Sequence, residues 1–435
     1  MASGSMRRWF TRAALVLGLL PAPAAAQQVD LTLADAVQRA LGVQPAIVQA
    51  EGDQRNARAG QRSAVGAFLP TVSVGGSSNR TSANRYNVST GQIVTDTTRN
   101  TSYSGSLALS LDLFDGLRRF GNKSAAAATL DAADAGLINQ RYQVTAATAQ
   151  LFFTALAAED LVRVAETQLQ RAKQSLQISV NRFAVGAAIR SDTLTSTVDL
   201  GTAQLTLLQA QGNLATAQAN LGRQVGVDHA VHAVRDSALA PLPDTMALRA
   251  QVLDSSPQIR QADAQSRAAR AQVTVAHAEY WPTFSASYSN GYTGLGAPWS
   301  GTESYVNNWT LRFSLSWTLF NGFSREGDQV SASVQRDLAE AHAADLRRQL
   351  NALFTQQVAA LFTASAQIGF ADANVAAAAE ALRVTQDRYR LGAGTLLDLL
   401  TAEANLTQAQ VSQIQARFDY LNARAQLEAL VGHSL

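Results

Sequence analysis

Alternation of apolar and polar positions is clearest over residues 309–319. Trp309, Leu311, Phe313, Leu315, Trp317 and Leu319 are apolar, while Thr310, Arg312, Ser314, Ser316 and Thr318 between them are polar. A period of two marks a strand with one apolar and one wet face. Leu107, Leu109, Leu111 and Leu113 repeat the pattern against Ala108, Ser110 and Asp112. A weaker alternation precedes each: Val72 and Val74 with Thr71 and Ser73, then Phe284, Ala286 and Tyr288 with Thr283, Ser285 and Ser287. The pattern predicts two strand pairs, about 70–114 and about 282–320. Each strand is about 10 residues long, the length that carries a tilted strand across a bilayer.

Elsewhere the period changes to three and four. Leu346, Leu350, Leu353, Phe354, Val358, Leu361 and Phe362 form such a stripe, the mark of an amphipathic helix. It belongs to a proline-free helix of about 323–391, matched by another at about 117–185. Roughly 70 residues at 1.5 Å each give rods of roughly 100 Å. Return helices follow at about 191–225 and 396–430. A helix of medium length precedes each strand pair, about 32–66 and about 244–279. These open at Thr32-Leu33-Ala34-Asp35 and at Asp244-Thr245 and end at Pro70 and Pro282.

These elements occur twice in the same order. Arg182, Gly186, Ala187 and Asp192 recur as Arg388, Gly392, Ala393 and Asp398, every pair 206 apart (388 − 182 = 398 − 192 = 206). Leu113-Phe114-Asp115-Gly116 recurs as Leu319-Phe320-Asn321-Gly322 at the same offset, and Phe68-Leu69-Pro70 as Tyr280-Trp281-Pro282 at 212. Residues 27–226 form a first repeat and 244–432 a second, joined by a linker at 227–243 that holds Pro241 and Pro243. In each copy a glycine ends the long helix and a Ser or Thr near an aspartate restarts the chain as a helix. Two helix–turn–helix tips result.

Composition narrows the function. Residues 1–26 carry Arg7, Arg8 and Arg12, a short apolar run from Ala13 to Leu20 and Ala24-Ala25-Ala26, the plan of a secretory signal peptide. Without it, 32 basic residues (35 − 3) face 33 acidic ones, which gives no bulk attraction to nucleic acid. The chain has no cysteine, so thiolate chemistry and a lipidated cysteine are excluded. His229 and His232 lack a third ligand nearby, and neither a phosphate loop nor a nucleophile elbow is present. The reading is not an enzyme, with no cofactor and no metal.

Four strands cannot close a barrel, and open strand edges are not tolerated in lipid. The barrel must be shared: two chains would give eight strands, three would give twelve and leave room for a lumen. The long helices would continue it as a helical tube, with the tips at the far end.

Strand pair, long helix, glycine tip and return helix, repeated in order over about residues 30–432, resemble the outer-membrane efflux protein family, the TolC-like channels. The resemblance implies a mixed α and transmembrane β fold. A homotrimer would share a 12-stranded barrel in the outer membrane of a Gram-negative bacterium, and long antiparallel coiled-coil helices would form an α-barrel in the periplasm. It implies a passive duct of a tripartite export system for small molecules, docking a periplasmic adaptor (membrane fusion) protein and, through it, an inner-membrane transporter. Type I protein secretion, or a non-pore periplasmic coiled-coil adaptor, are the alternatives. By position it assigns adaptor docking to Val185, Gly186, Ala187 and Ser191 on the first tip and to Leu391, Gly392, Ala393 and Thr395 on the second. It assigns the entrance to Asp192, Tyr389 and Asp398. Two entrance positions depart from the family: Thr401 stands where a second acid is expected, and Gly394 where a latching arginine is expected, leaving Arg190 or Arg390 to substitute. Trp309, Leu311, Phe313, Leu315 and Trp317 are the membrane-facing positions, in contact with outer-membrane lipid.

Overall fold

The computed structural model describes residues 29–81, 84–95, 100–235, 248–249, 252, 256–295, 297, 299 and 305–432. The signal peptide, Asp244-Thr245 and the second half of the linker lie outside them.

The chain opens with β1 (Val29–Leu31), α1 (Leu33–Val43) and α2 (Pro45–Gly66), followed by β2 (Thr71–Thr81). A small hairpin, β3 (Asn84–Asn87) and β4 (Gln92–Thr95), leads to β5 (Asn100–Phe114). Then come α3 (Arg118–Ala184), α4 (Arg190–Val225) and β6 (Val231–Ala233). The second half holds α5 (Pro257–His277), β7 (Thr283–Gly294), β8 (Val306–Ser316), α6 (Ser324–Arg390) and α7 (Leu396–Val431). The two longest helices have 67 residues each, and α4 and α7 have 36 each. No helix among the described residues is long and apolar enough to cross a membrane.

Strands β2, β5, β7 and β8 form one antiparallel sheet in that order. Its register puts the apolar residues on a single face. Val72, Leu109, Tyr288 and Leu311 form one row, and Leu111, Ala286 and Phe313 another. The other face is hydroxylic, with rows such as Thr71, Ser110, Ser287 and Arg312. Among the described residues, both outer strands, β2 and β8, have an edge without a partner. Strand β8 ends at Ser316, so Trp317 is not a strand residue as the alternation suggested. Its indole donates to the Tyr280 carbonyl at 3.2 Å, which turns the chain toward α6.

Two further expectations need correction. The first helix is broken between Val43 and Pro45, and the second is broken at Ser256, which caps α5 from Pro257; Leu248, Arg249 and Val252 before the break are also helical. Both prolines sit at N1, where the missing N–H costs nothing and a new helix starts. The Thr32 cap forms as expected, its hydroxyl accepting from Asp35 N–H at 3.2 Å. The linker also contains β6, which pairs in parallel with β1.

The breaks let short helices line up beside long ones. The end of α4 meets the start of α2, where Gln44 Nε2 donates to the Gln224 carbonyl at 2.6 Å. The end of α7 meets the start of α5. Each end-to-end pair thus runs the length of a 67-residue helix, a rod of roughly 100 Å. Two buried clusters knit the assembly midway along these rods. One gathers Phe152, Phe153, Leu156, Leu221 and Phe418, and the other Leu350, Phe354, Leu361, Tyr420 and Leu427.

Candidate entrance site at the helical tips

Each tip is a Schellman turn. On the first, Gly186 has φ 74°, Ala187 N–H donates to Arg182 carbonyl at 2.8 Å, and Gly186 N–H to Phe183 carbonyl at 3.0 Å. On the second, Gly392 has φ 81°, with Ala393 to Arg388 at 2.8 Å and Gly392 to Tyr389 at 3.1 Å. Only glycine takes this left-handed position at low cost. An arginine braces each turn from within: Arg182 Nη2 donates to the Ala187 carbonyl at 3.1 Å, and Arg388 Nη2 to the Ala393 carbonyl at 3.3 Å.

The restarts differ. Thr395 caps α7 in a reciprocal box: its hydroxyl accepts from Asp398 N–H, and the Asp398 carboxylate accepts from Thr395 N–H, both at 3.1 Å. The Thr395 backbone N–H first, and then the Thr395 hydroxyl, favour the charged form and hold the Asp398 carboxyl below the usual carboxylate range. The equivalent cap of α4 is Ile189 (395 − 206), with no side-chain bond, and the helix starts at Arg190. Ser191 is therefore inside the helix and does not match Thr395. The difference follows from chemistry, since isoleucine has no acceptor to offer. Asp192 lies in the first turn of α4, half-buried, where an acid favours the helix start.

Tyr389 is only 2 % exposed. Its ring packs with Leu382, Leu396, Leu399 and Leu406. Its hydroxyl bonds Ser179 at 3.1 Å, and Ser179 bonds Ser196 at 2.9 Å, joining α3, α4 and α6. Among the described residues no bond joins Tyr389 to Asp192. The arginine that reaches across the tips is Arg182. Its guanidinium stacks on the Tyr389 ring, 4.6 Å from the centroid, and donates to the Tyr389 carbonyl. Arg390 lies instead 3.9 Å from Asp387. A Cβ added at Gly394 would stand 3.3 Å from both Arg388 Cβ and Tyr389 N, so this turn is too tight for a long side chain without adjustment. Thr401 back-bonds to the Leu397 carbonyl at 2.7 Å. Val185 (78 %), Ile189 (67 %), Leu391 (81 %) and Leu397 (73 %) are exposed, flanking the small residues Gly186, Ala187, Gly392 and Ala393.

A polar cluster lies behind the tips. Glu403, 8 % exposed, accepts from Ser175 Oγ at 2.7 Å. Arg171 Nη2 donates to Thr407 at 2.9 Å, while its Nε is buried without a partner. Burial raises the Glu403 carboxyl above its ordinary value, and Asp199 adds to the rise while Ser175 and Arg171 oppose it. Burial also raises Asp199 and lowers Arg171. The sequence carried a signal for this cluster: Glu403 interrupts the apolar stripe Leu396, Leu399, Leu406 at helical spacing.

A sequence profile of the outer membrane efflux protein family matches residues 36–227 and 248–433. The chain is 28 % identical over 348 residues to the pyoverdine export outer membrane protein OpmQ of Pseudomonas aeruginosa, covering 76 % of this chain and 70 % of that one. It is 29 % identical over 401 residues to protein CyaE of Bordetella pertussis, covering 90 % and 82 %. It is 24 % identical over 352 residues to the alkaline protease secretion protein AprF of Pseudomonas aeruginosa, covering 76 % and 70 %. Among solved structures, the outer membrane protein VceC of Vibrio cholerae superposes with a TM-score of 0.78 at 19 % identity, covering 92 % of this chain and 96 % of that one. The CmeC outer membrane channel of Campylobacter jejuni gives 0.80 at 18 %, covering 92 % and 85 %. These structures share the fold.

Proposed function

The chain belongs to the outer membrane efflux protein family, and on that footing we propose that three copies close a duct whose far end is the pair of tips described above. The protein is an outer-membrane channel of the efflux type. The observation that carries the trimer is the open sheet: among the described residues, four strands with an apolar face and two unpaired edges. Backbone groups at such edges must be paired in lipid, and three copies supply twelve strands. The two repeats, 27–226 and 244–432, place two strands and one tip each in the ring, so the trimer presents six tips.

The apolar residues Val185, Ile189, Leu391 and Leu397 around the small tip residues suit docking of an adaptor's helical hairpin, which brings the inner-membrane transporter. The OpmQ and AprF relatives are named for pyoverdine export and for alkaline protease secretion. Small-molecule export is the reading preferred here, with type I protein secretion as the alternative. The residues lining the duct entrance carry no catalytic group, and energy comes from the transporter.

At the entrance, Asp192, Tyr389, Asp398, Gly394 and Thr401 act in different ways. Asp398 supplies one exposed charge per chain, three near the axis, where like charges gather cations. Tyr389 and Arg182 pin the tips together within a chain. Replacing Asp398 with asparagine retains the cap at Thr395 but removes the charge. In planar bilayers the variant is expected to lose cation preference and divalent-cation block by severalfold, at unchanged trimer stability. Wild-type block in the variant would exclude Asp398 from the pore axis.

A further inference from the structure

In the four strands of the sheet only Arg80, Asp112 and Arg312 are charged. Arg80 shares the register face of Val72 and Val74, at the end away from the helices. Asp112 and Arg312 both lie on the hydroxylic face, near the helices. Asp112 pairs with Ser285, which pairs with Ser314; Arg312 pairs with Ser287, which pairs with Ser110. The two charges are thus one row and two strands apart. Rows about 7 Å apart and strands about 4.8 Å apart put roughly 12 Å between their Cα positions. Both side chains are exposed, and among the described residues neither makes an ion pair or a side-chain hydrogen bond. Aspartate is disfavoured in strands, and the neighbouring positions on this face are met by serine. The sheet itself therefore asks for neither charge.

Their spacing across the sheet supplies a reason. In the order β2-β5-β7-β8, Asp112 stands on the second strand and Arg312 on the fourth. In a closed ring of three copies the fourth strand of one copy is followed by the first of the next. Every second strand then carries a charge, and the sign alternates all the way round. The next hydroxylic row, Thr283 and Ser316, lines a hollow with Arg118 and Glu279, again one charge of each sign. A narrow lumen with low-dielectric walls concentrates such fields. A solute of one charge is drawn to one site and repelled by its neighbours on either side. A solute with an ammonium at one end and a carboxylate at the other satisfies both signs, and the serine hydroxyls between them can bond its polar middle. We propose that Asp112 and Arg312 form a belt at the helix end of the barrel that binds and aligns zwitterionic solutes as they leave the helical tube. A solute about three residues long fits, since an extended chain spans about 3.3–3.6 Å per residue. The belt has no net charge, so the cation preference assigned to Asp398 is left to the tips. The inference rests on the reading of the sheet as a shared membrane barrel, with its hydroxylic face toward the lumen.

The chain has no cysteine, so Ser287→Cys, placed between the two charges, reports the local potential without background. The full-length parent carrying this cysteine is reconstituted in phosphatidylcholine nanodiscs. Its rates of modification by a cationic and by an anionic methanethiosulfonate reagent are compared as a ratio. Asp112→Asn is expected to lower the cationic-to-anionic ratio severalfold and Arg312→Gln to raise it severalfold. The double variant should return to the ratio of the parent, and Arg312→Lys should keep it. Millimolar triglycine, a zwitterion, should slow both reagents severalfold in the parent. It should slow neither in Asp112→Asn, Arg312→Gln or the double variant, and the uncharged N-acetyltriglycine amide should slow neither in any of them. A ratio that neither charge moves, or that both move in the same direction, overturns the belt. Protection that the uncharged peptide matches, or that survives in the double variant, overturns the zwitterion site. A cysteine at 287 closed to both reagents, or one at Leu311 on the apolar face that reacts as fast as the one at 287, means instead that the barrel reading has failed.

Discussion

Replacing Val198 and Leu205 with glutamate is expected to leave the chain folded but unable to assemble. On α4, Leu194, Val198, Leu205 and Leu208 are 56–69 % exposed and lie on one face at spacings of four, seven and three. Among the described residues this helix packs chiefly on α3. The long helix α6 packs on α7 and α5, and exposes Phe362, Phe370 and Val384. Counted from the tips, the two sets lie at similar heights. Leu194 is 4 residues into α4 and Val384 is 6 from the end of α6; Leu208 is 18 into α4 and Phe370 is 20 from that end (194 − 190, 390 − 384, 208 − 190, 390 − 370). In the proposed trimer the α4 stripe of one copy would therefore suit the α6 stripe of the next, and this contact would close the ring. Burying an aliphatic side chain is worth about 1.5–3 kcal/mol, while burying an unpaired carboxylate costs more than that. Two glutamates at each of three interfaces are therefore decisive. Native mass spectrometry of the detergent-solubilised variant should show single chains. Trimers at wild-type abundance would place the interface elsewhere.

The second large effect concerns Glu403. Its carboxyl is raised above the ordinary value, chiefly by burial and then by Asp199. The sign follows from linkage. A folded-state pKa above the unfolded one means that the folded state favours the proton. The resulting stability is fully present below the ordinary carboxylate value and is lost as pH rises through the raised one. The groups facing Glu403 are Ser175 and Arg171 from α3, Asp199 from α4 and Thr407 from its own helix. The tip is thus expected to be held most tightly in acid and to loosen toward neutral pH. The change Glu403→Gln keeps an acceptor for Ser175 and removes the charge. It should stabilise the tip by roughly 1–3 kcal/mol at neutral pH, the usual penalty of an imperfectly partnered buried polar group. Hydrogen exchange over residues 396–410 between pH 5 and pH 8 measures it. The variant should exchange more slowly at pH 8 and lose the excess pH dependence of the wild type; matching profiles would remove Glu403 from the tip's stability.

Much of this architecture is legible in the sequence because it follows from periods. Alternation at 309–315 gave β8 and its apolar face, and the glycine at the end of each long apolar stripe gave the tips. The three-residue strands β1 and β6 carry no readable period, and they pair across about 200 residues. The helix breaks at Pro45 and Pro257 were masked by a stripe that runs on through the prolines in both repeats. At the tip, the resemblance names Asp192, Tyr389 and Asp398 as entrance residues by position alone. Within one chain Tyr389 bonds Ser179 and stacks against Arg182. Arg182 and Arg388 are an identical pair across the repeats, yet only packing shows that one of them crosses to the other tip. Glu403 stands as a charge within an apolar stripe, but Ser175, Arg171 and Asp199 beside it come from helices more than 200 residues away in sequence.

The central claim is a ring closed by three copies through the edges of the sheet. Since the chain has no cysteine, introduced pairs report without background. Ser73 on β2 and Ser314 on β8 both lie on the hydroxylic face of edge strands, with Arg312 and Thr310 as neighbours that allow for register. Ser73→Cys combined in turn with Ser314→Cys, Arg312→Cys or Thr310→Cys is oxidised in outer-membrane fractions and run under denaturing conditions. At least one pair should give covalent species that stop at three chains. Species that stop at two, extend beyond three or never form would contradict the shared barrel.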